Sequence, residues 1–302
     1  MTKDGQYSVP GQAETHIRVI LVDSAARLFS TEEHWTDGTL ISKGFVSGNS
    51  FSSKTGLHTF YYKNGNKRSE GLYFTDNVKR IIGMQSGMWT YWYENGKKNK
   101  ELYYTPSEKE KYPQEDILNY WDTTGMQKVK DGNGDYFEIQ TQKEFDDVEK
   151  ICISGKVKNK KPDGTWTGIF TDGKPYCTEL YENGTLVKGE SLDRAGNKYS
   201  YTKVLIYPEF AGGDMGLIKF LQRTIQYPQF ERDYDVQGKV ILRFIIDEKG
   251  KVTYPRIIRS VSPGLDKESL RVIKILPDFS PAMLRGKPVR VPYNLPVVYK
   301  LQ

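Results

Sequence analysis

Aromatic and polar positions alternate through the first two thirds of the chain, and the alternating runs end at Asn-Gly or Asp-Gly pairs. Three copies share one spacing, in which a glycine precedes the turn Asn or Asp by eight positions. They are Gly56–Gly65, Gly87–Gly96 and Gly164–Gly173, with partial copies at Trp35–Gly38 and Tyr181–Gly184. Alternation with a period of two predicts strands. Asn-Gly or Asp-Gly between two such runs predicts a hairpin with a type I′ turn, whose two central residues both have positive φ.

A single predicted hairpin cannot bury its own apolar face. We therefore expect the hairpins to stack into a long sheet with a shared core, to which the repeated aromatic residues contribute. His58 stands where two of the copies have Trp89 and Trp166, which predicts a packing role for this histidine.

The pattern changes after a polar, turn-rich segment, Leu192–Lys203. Helical and strand periodicities then predict the order helix, two-stranded hairpin, helix, strand. Asp214 is the predicted N-cap of the first helix, and Pro255 inside the second strand predicts a bulge or a free edge there. The predicted elements are a helix over Asp214–Ile225, strands over Gly238–Asp247 and Lys251–Arg259, a helix over Leu265–Leu276 and a strand over Pro288–Leu301.

A length of 302 residues suits two domains. We predict a mainly β chain with an α+β end. It consists of an N-terminal extension over 1–29, a sheet of stacked β-hairpin repeats over 30–191, a linker over 192–206 and an α-β-β-α-β domain over 207–302. The charge divides near the same place, because residues 204–302 hold 16 Lys and Arg against 10 Asp and Glu, whereas the preceding residues hold 28 of each.

The net charge of +6 is only weak support for a nucleic-acid partner. The basic residues of the C-terminal part are scattered, and they lack the interleaved aromatic platform that single strands need. We therefore interpret them as a solvated surface and expect no nucleic acid as a partner.

Neither catalysis nor metal binding is indicated by the motifs. The three histidines are scattered without metal-ligand spacing, and phosphate-loop and Gly-x-Ser-x-Gly patterns are absent. We expect no enzymatic activity, no cofactor and no metal. Cys152 and Cys177 are predicted to be unpaired, because the strand over Trp166–Phe170 should lie between them and hold them beyond disulfide reach.

Hydropathy bears on the compartment. No run approaches the roughly 18 apolar residues that a spanning helix needs. The most apolar early stretch, Ile17–Val22, has six residues and lacks the features of a signal peptide. Two expectations stay open: the protein remains in the cytoplasm, or the native export segment is not part of this chain.

The hairpin repeats have a recognisable consensus, seen in the segments Gly87–Gly96 (GMWTYWYENG) and Glu70–Tyr73 (EGLY). In these segments the chain resembles the MORN-like repeats of a family often labelled as antitoxins. The resemblance covers about residues 30–200 unevenly. Repeats of this type imply a scaffold or a contact surface.

An ordered set of short motifs runs through the last hundred residues almost without gaps. The set is Pro208-Glu209-Phe210, Gly212-Gly213, Tyr227-Pro228, Gly238-Lys239-Val240, Asp247 to Val252, Arg259-Ser260-Val261, Leu265 to Glu268 and Gly286 to Val289. With these motifs, residues 207–302 resemble the C-terminal domain of TonB-type energy transducers, in the form common in Bacteroidetes-like bacteria.

In that family the domain binds the TonB box, a short segment of outer-membrane receptors that adds as a strand to the edge of the domain's last strand. By position, the resemblance assigns to this edge Val289, Arg290, Val291, Tyr293, Asn294, Leu295 and Val297. It places beside the bound segment Thr224, Ile225, Gln226, Tyr227 and Pro228. Pro292 and Pro296 remove two backbone donors from this strand, so the alternative that they blunt the edge against aggregation stays open.

Two hypotheses follow from the resemblances. In the first, the chain is a non-enzymatic, periplasmic protein of the cell envelope that binds the TonB box of outer-membrane receptors and serves energy-dependent transport of nutrients. The family reaches the inner-membrane motor proteins through a membrane helix that is not in this chain. In the second hypothesis, the repeat sheet binds the specific partner as a scaffold or adaptor, and the C-terminal domain only docks or forms a homodimer.

Overall fold

The computed structural model describes residues 6–8, 15–23, 28–47, 53–76, 81–107, 112–144 and 147–301. Much of the expected N-terminal extension, 1–29, lies outside these residues. The chain divides into two compact units, residues 1–137 with 154–164 and residues 138–153 with 165–302. The second unit therefore contains both the last hairpins of the repeat region and all of the C-terminal residues.

Strands fill the described residues up to about position 200. Each is hydrogen-bonded to the strand before it in an antiparallel arrangement, as predicted for stacked hairpins. They are β1 (Gln6–Ser8), β2 (Thr15–Asp23), β3 (Leu28–Trp35), β4 (Leu40–Ser47), β5 (Ser53–Tyr61), β6 (Lys67–Asp76), β7 (Ile81–Trp92), β8 (Lys98–Thr105), β9 (Gln114–Trp121), β10 (Gln127–Lys130), β11 (Asn133–Glu144), β12 (Asp147–Lys158), β13 (Lys161–Phe170), β14 (Pro175–Glu182), β15 (Thr185–Leu192) and β16 (Lys198–Tyr201).

The turns of the complete repeats are not type I′, and that prediction is wrong. Tyr62 N–H donates to the Asn66 carbonyl at 2.8 Å and Gly65 N–H donates to the Tyr62 carbonyl at 3.0 Å, which encloses a three-residue loop. Only the glycine has positive φ (85°), as in a type I turn followed by a left-handed glycine. Of the two partial copies, Tyr181–Gly184 does close with a type I′ turn, because Asn183 (φ 48°) and Gly184 (φ 81°) are both left-handed, whereas Trp35–Gly38 has the three-residue loop.

Two glycines of the repeat strands lie directly against the rings of His58 and Trp89 and have no room for a side chain. A Cβ added to Gly71 would overlap the ring of Trp89, and a Cβ added to Gly44 would overlap the ring of His58. His58 is only 3% exposed and meets Tyr73 edge to face at 4.9 Å. The predicted packing role of His58 is therefore confirmed.

Three helices and two small sheets follow the repeat strands. The elements are β17 (Leu205–Ile206), α1 (Gly213–Thr224), α2 (Gln229–Asp233), β18 (Gly238–Ile246), β19 (Val252–Arg259), α3 (Pro263–Ile273), β20 (Ala282–Leu284), β21 (Lys287–Val289) and β22 (Val291–Tyr299). One sheet has the order β19-β18-β22 and the other has the order β17-β20-β21. The predicted fold class is confirmed, with α2 and the β20–β21 hairpin added to the predicted α-β-β-α-β order.

Alternation on β18 supplies the core of the C-terminal part. Val240, Leu242, Phe244 and Ile246 are all fully buried, as the sequence pattern predicts. Residues of α3, among them Leu265, pack against them. Full burial of side chains of this size contributes about 1.5–3 kcal/mol each, so these four residues contribute substantially to the stability of the C-terminal part.

Three details of the predicted elements change. Asp214 is not the N-cap of α1, because Gly212 takes that place with φ 79° and Asp214 lies in the first turn. The strand expected over Pro288–Leu301 is two strands, β21 and β22, which are separated at Arg290. The prediction for Pro255 is confirmed, since β19 is an edge strand whose register shifts opposite Arg243 and Ile245.

The segment predicted as a linker, 192–206, holds the strands β16 and β17. The cysteine prediction is confirmed, because Cys152 and Cys177 are both free and β13 lies between their strands. Burial raises the pKa of the Cys177 thiol to about 11, so this thiol stays protonated at neutral pH.

Candidate functional site

β22 has one open edge. Its inner side pairs with β18 over nine consecutive residue pairs without a shift in register, from Gly238–Tyr299 to Ile246–Val291. Within residues 147–301, no strand pairs with the outer side of β22. An edge of this kind presents unpaired N–H and C=O groups along its length.

The two prolines show which backbone groups of β22 face outward. Pro292 lies opposite Ile245 and Pro296 lies opposite Ile241 in the unbroken ladder. Proline has no N–H to give to a ladder, so prolines on an edge strand stand where the N–H would face away from the neighbour. Even-numbered residues of β22 therefore face the open edge, and odd-numbered residues bond to β18. The open edge offers N–H donors at Asn294 and Val298 only.

The side chains of β22 alternate in the same way. Leu295, Val297 and Tyr299 are buried in the core, and Tyr293 stacks on Phe244 with ring centroids 5.3 Å apart. A partner strand at the open edge would therefore meet backbone, together with exposed side chains on the opposite face of the sheet. On that face, Asn294 Oδ1 accepts a hydrogen bond from Arg243 Nε at 2.9 Å.

The residues assigned to the edge from sequence thus fall into two groups. Asn294 has outward backbone groups, whereas Val291, Tyr293, Leu295 and Val297 direct their backbone groups to β18. Val298 also faces outward and is 61% exposed, but the sequence reasoning missed it. The spacing of two prolines four residues apart on an edge strand was the signal that could have identified it.

Val289 and Arg290 lie before this edge. Val289 belongs to β21, where it pairs with Ala282 and is buried. Arg290 Nε donates to both carboxylate oxygens of Glu248, at 2.9 and 3.0 Å. This hydrogen bonding holds the pKa of the Arg290 guanidinium above its usual value.

Thr224 to Pro228 link α1 to α2 near the C-terminal end of β22. The Tyr227 ring packs edge to face on Tyr299, with centroids 5.6 Å apart. The structure therefore brings this segment to β22 at one end of the strand.

Three polar groups of this segment are hydrogen-bonded to neighbouring elements of the C-terminal part. Arg271 Nη2 donates to the Thr224 carbonyl at 2.8 Å, and Gln226 N–H donates to Glu268 at 2.6 Å. Tyr227 OH donates to the Val236 carbonyl at 2.6 Å. Burial acts to raise the pKa of the Glu268 carboxyl, but hydrogen bonds from Arg271 and Gln226 outweigh it and lower this pKa. These hydrogen bonds order the segment beside β22.

Metal clusters and membrane-spanning helices are both absent from the described residues. Among these residues, no group of three or more His, Cys, Asp or Glu side chains is placed to hold a metal ion. No helix in the described ranges is long and apolar enough to cross a lipid bilayer.

A comparison with known protein families gives a match in the C-terminal part. The family model described as Gram-negative bacterial TonB protein C-terminal matches residues 223–301, from the end of α1 through β22. No curated protein matches the chain. The match supports the resemblance of this part to TonB-type C-terminal domains, whereas the resemblance of the hairpins to MORN-like repeats stays a prediction.

Proposed function

We propose that this protein is a non-enzymatic, TonB-like binding protein of the periplasm, and that the open edge of β22 takes up an extended peptide as an added strand. The peptide is the TonB box of an outer-membrane receptor, and the complex serves energy-dependent transport through that receptor. The open edge of β22 is the observation that carries the proposal, and the family match over 223–301 supports it.

The backbone of β22 defines the hydrogen bonds that such a peptide makes. The peptide backbone exchanges two hydrogen bonds with each of Asn294 and Val298. It also donates one hydrogen bond to the carbonyl of Pro292 and one to the carbonyl of Pro296. A hydrogen bond of this kind contributes about 0.5–1.5 kcal/mol net. Ordering the peptide and losing its free motion offset much of the sum, so we expect weak, reversible binding in the micromolar to millimolar range.

Two substitutions at one position test the proposal on the full chain. Both Asn294→Pro and Asn294→Ala remove the asparagine side chain. Only Asn294→Pro also removes the outward backbone N–H. Titration with a synthetic TonB-box peptide should give a Kd about fivefold higher for Asn294→Pro than for Asn294→Ala, since one hydrogen bond is worth about 1 kcal/mol. Circular dichroism confirms that both variants are folded.

Two results would contradict the proposal. One is the absence of binding at millimolar peptide by the folded chain. The other is equal affinity of the two variants, which would move the peptide away from the β22 edge. Sedimentation of the same samples shows whether a second copy of the chain occupies the edge instead.

A specific feature favours the scaffold as a second candidate function. Leu57 and Leu72 are cross-strand neighbours, as are Met88 and Tyr103, and each of the four is 45–51% exposed. An apolar row of this kind on one face of the sheet is suited to contact with a protein partner. Leu72→Lys with Met88→Lys should abolish capture of such a partner and leave the peptide titration unchanged.

A further inference from the structure

The turn between β20 and β21 carries a buried arginine at its tip. Arg285 (φ 48°) and Gly286 (φ 79°) form a two-residue turn with both residues left-handed. Turn tips are normally solvent-exposed. Arg285 is only 5% exposed. The turn is therefore covered by another part of the protein, namely the last strands of the repeat sheet.

The carboxylate of Glu179 on β14 receives the arginine. Arg285 Nε donates to Glu179 Oε1 at 2.8 Å, and Glu179 is only 2% exposed. Tyr201 OH donates to the same oxygen at 2.8 Å and Tyr181 OH donates to Oε2 at 3.1 Å. Burial acts against the charge of Arg285, but Glu179 outweighs burial and holds the pKa of the guanidinium above its usual value.

The backbone of the turn is hydrogen-bonded to β15 and to Val204, which follows β16. Ser191 Oγ on β15 donates to the Arg285 carbonyl at 2.7 Å. Arg285 N–H donates to the Val204 carbonyl at 2.7 Å. A Cβ at Gly286 would lie 3.0 Å from the Ser200 carbonyl on β16. The turn therefore meets a charged partner on β14, a hydrogen-bond donor on β15 and a close backbone contact on β16.

We propose that the Arg285 turn is a clasp, which joins the C-terminal part to the last two repeat hairpins as one cooperative unit and has Glu179 as its receptor. A buried ion pair is a strong determinant of docking because removal of one partner leaves an unpaired buried charge. The hairpin with the clasp runs into β22 through Arg290, so the clasp fixes the N-terminal end of that strand. The bearing of this on peptide uptake at β22 rests on the proposed function.

Hydrogen exchange on the full chain tests the clasp. Arg285→Met should speed exchange about tenfold or more in both 198–206 and 282–291, because docking is lost on both sides. Arg285→Lys keeps a charge with a poorer fit and should give a smaller increase in the same segments. The control is Arg290→Met, which breaks the exposed ion pair between Arg290 and Glu248 and should leave exchange in 198–206 unchanged.

A double variant separates the ion pair from simple loss of packing. Glu179→Met with Arg285→Met should restore the denaturation midpoint above that of either single variant, since neither charge is left alone. Faster exchange confined to 282–291 would overturn the clasp, and so would midpoint changes that simply add in the double variant. Peptide affinity does not enter these readouts, so their failure is distinct from failure of the proposed function.

Discussion

His58 occupies in its hairpin the place that Trp89 occupies two strands along the sheet. Each ring covers a glycine of the preceding strand, Gly44 or Gly71. Trp89 Nε1 donates to the Leu72 carbonyl at 3.0 Å, and His58 Nε2 lies 2.7 Å from the Phe45 carbonyl. His58 thus packs on a glycine and lies beside a backbone carbonyl as Trp89 does. Unlike Trp89, it has a side chain that titrates.

We expect His58→Trp to make stability less dependent on pH. Burial lowers the pKa of His58 in the folded chain, so below the unfolded value of about 6.5 the unfolded chain binds this proton more tightly. The wild type should therefore lose stability as the pH falls from about 7.5 to 5.5, and the variant should lose less. Urea midpoints of both proteins at these two pH values check this. Parallel losses in the two proteins would contradict it.

Among the helices and strands, sequence periodicity predicted most of the elements. It did not predict the turn type, the short helix α2 or the break in the last strand. Asn-Gly pairs located the hairpins, but they fit both two-residue and three-residue loops, so the turn type of Gly65 was missed. The five residues of α2 are too few to show a helical period. The break at Arg290 was missed because the alternation of residue types continues through it.

The two prolines of β22 are expected to limit self-association of the chain through the open edge. Pro292→Ala with Pro296→Ala adds two outward N–H donors to the open edge, which completes a template for another strand. Sedimentation velocity of the full chain without peptide should show more self-association than in the wild type. Pro288→Ala, on β21, is the matched control and should sediment like the wild type. Unchanged sedimentation of the double variant would show that the prolines do not guard this edge.

At the scale of the whole molecule, the order of the strands was open to prediction, but the contacts between distant residues were not. The clasp joins Glu179 and Arg285, which are 106 positions apart, and no local pattern marks either residue. The outward direction of Asn294 and Val298 likewise depends on the register with β18. Sequence predicted the kind of edge, and the structure was needed to give the backbone groups that it presents.

Residue-resolved amide exchange by NMR shows whether a peptide adds to the outer edge of β22. The full chain is compared with and without a saturating TonB-box peptide. We expect the amides of Asn294 and Val298 to become protected, while those of Tyr293 and Leu295, already bonded to β18, do not change. Binding that leaves the amides of Asn294 and Val298 unprotected would show that the peptide does not add to the β22 edge.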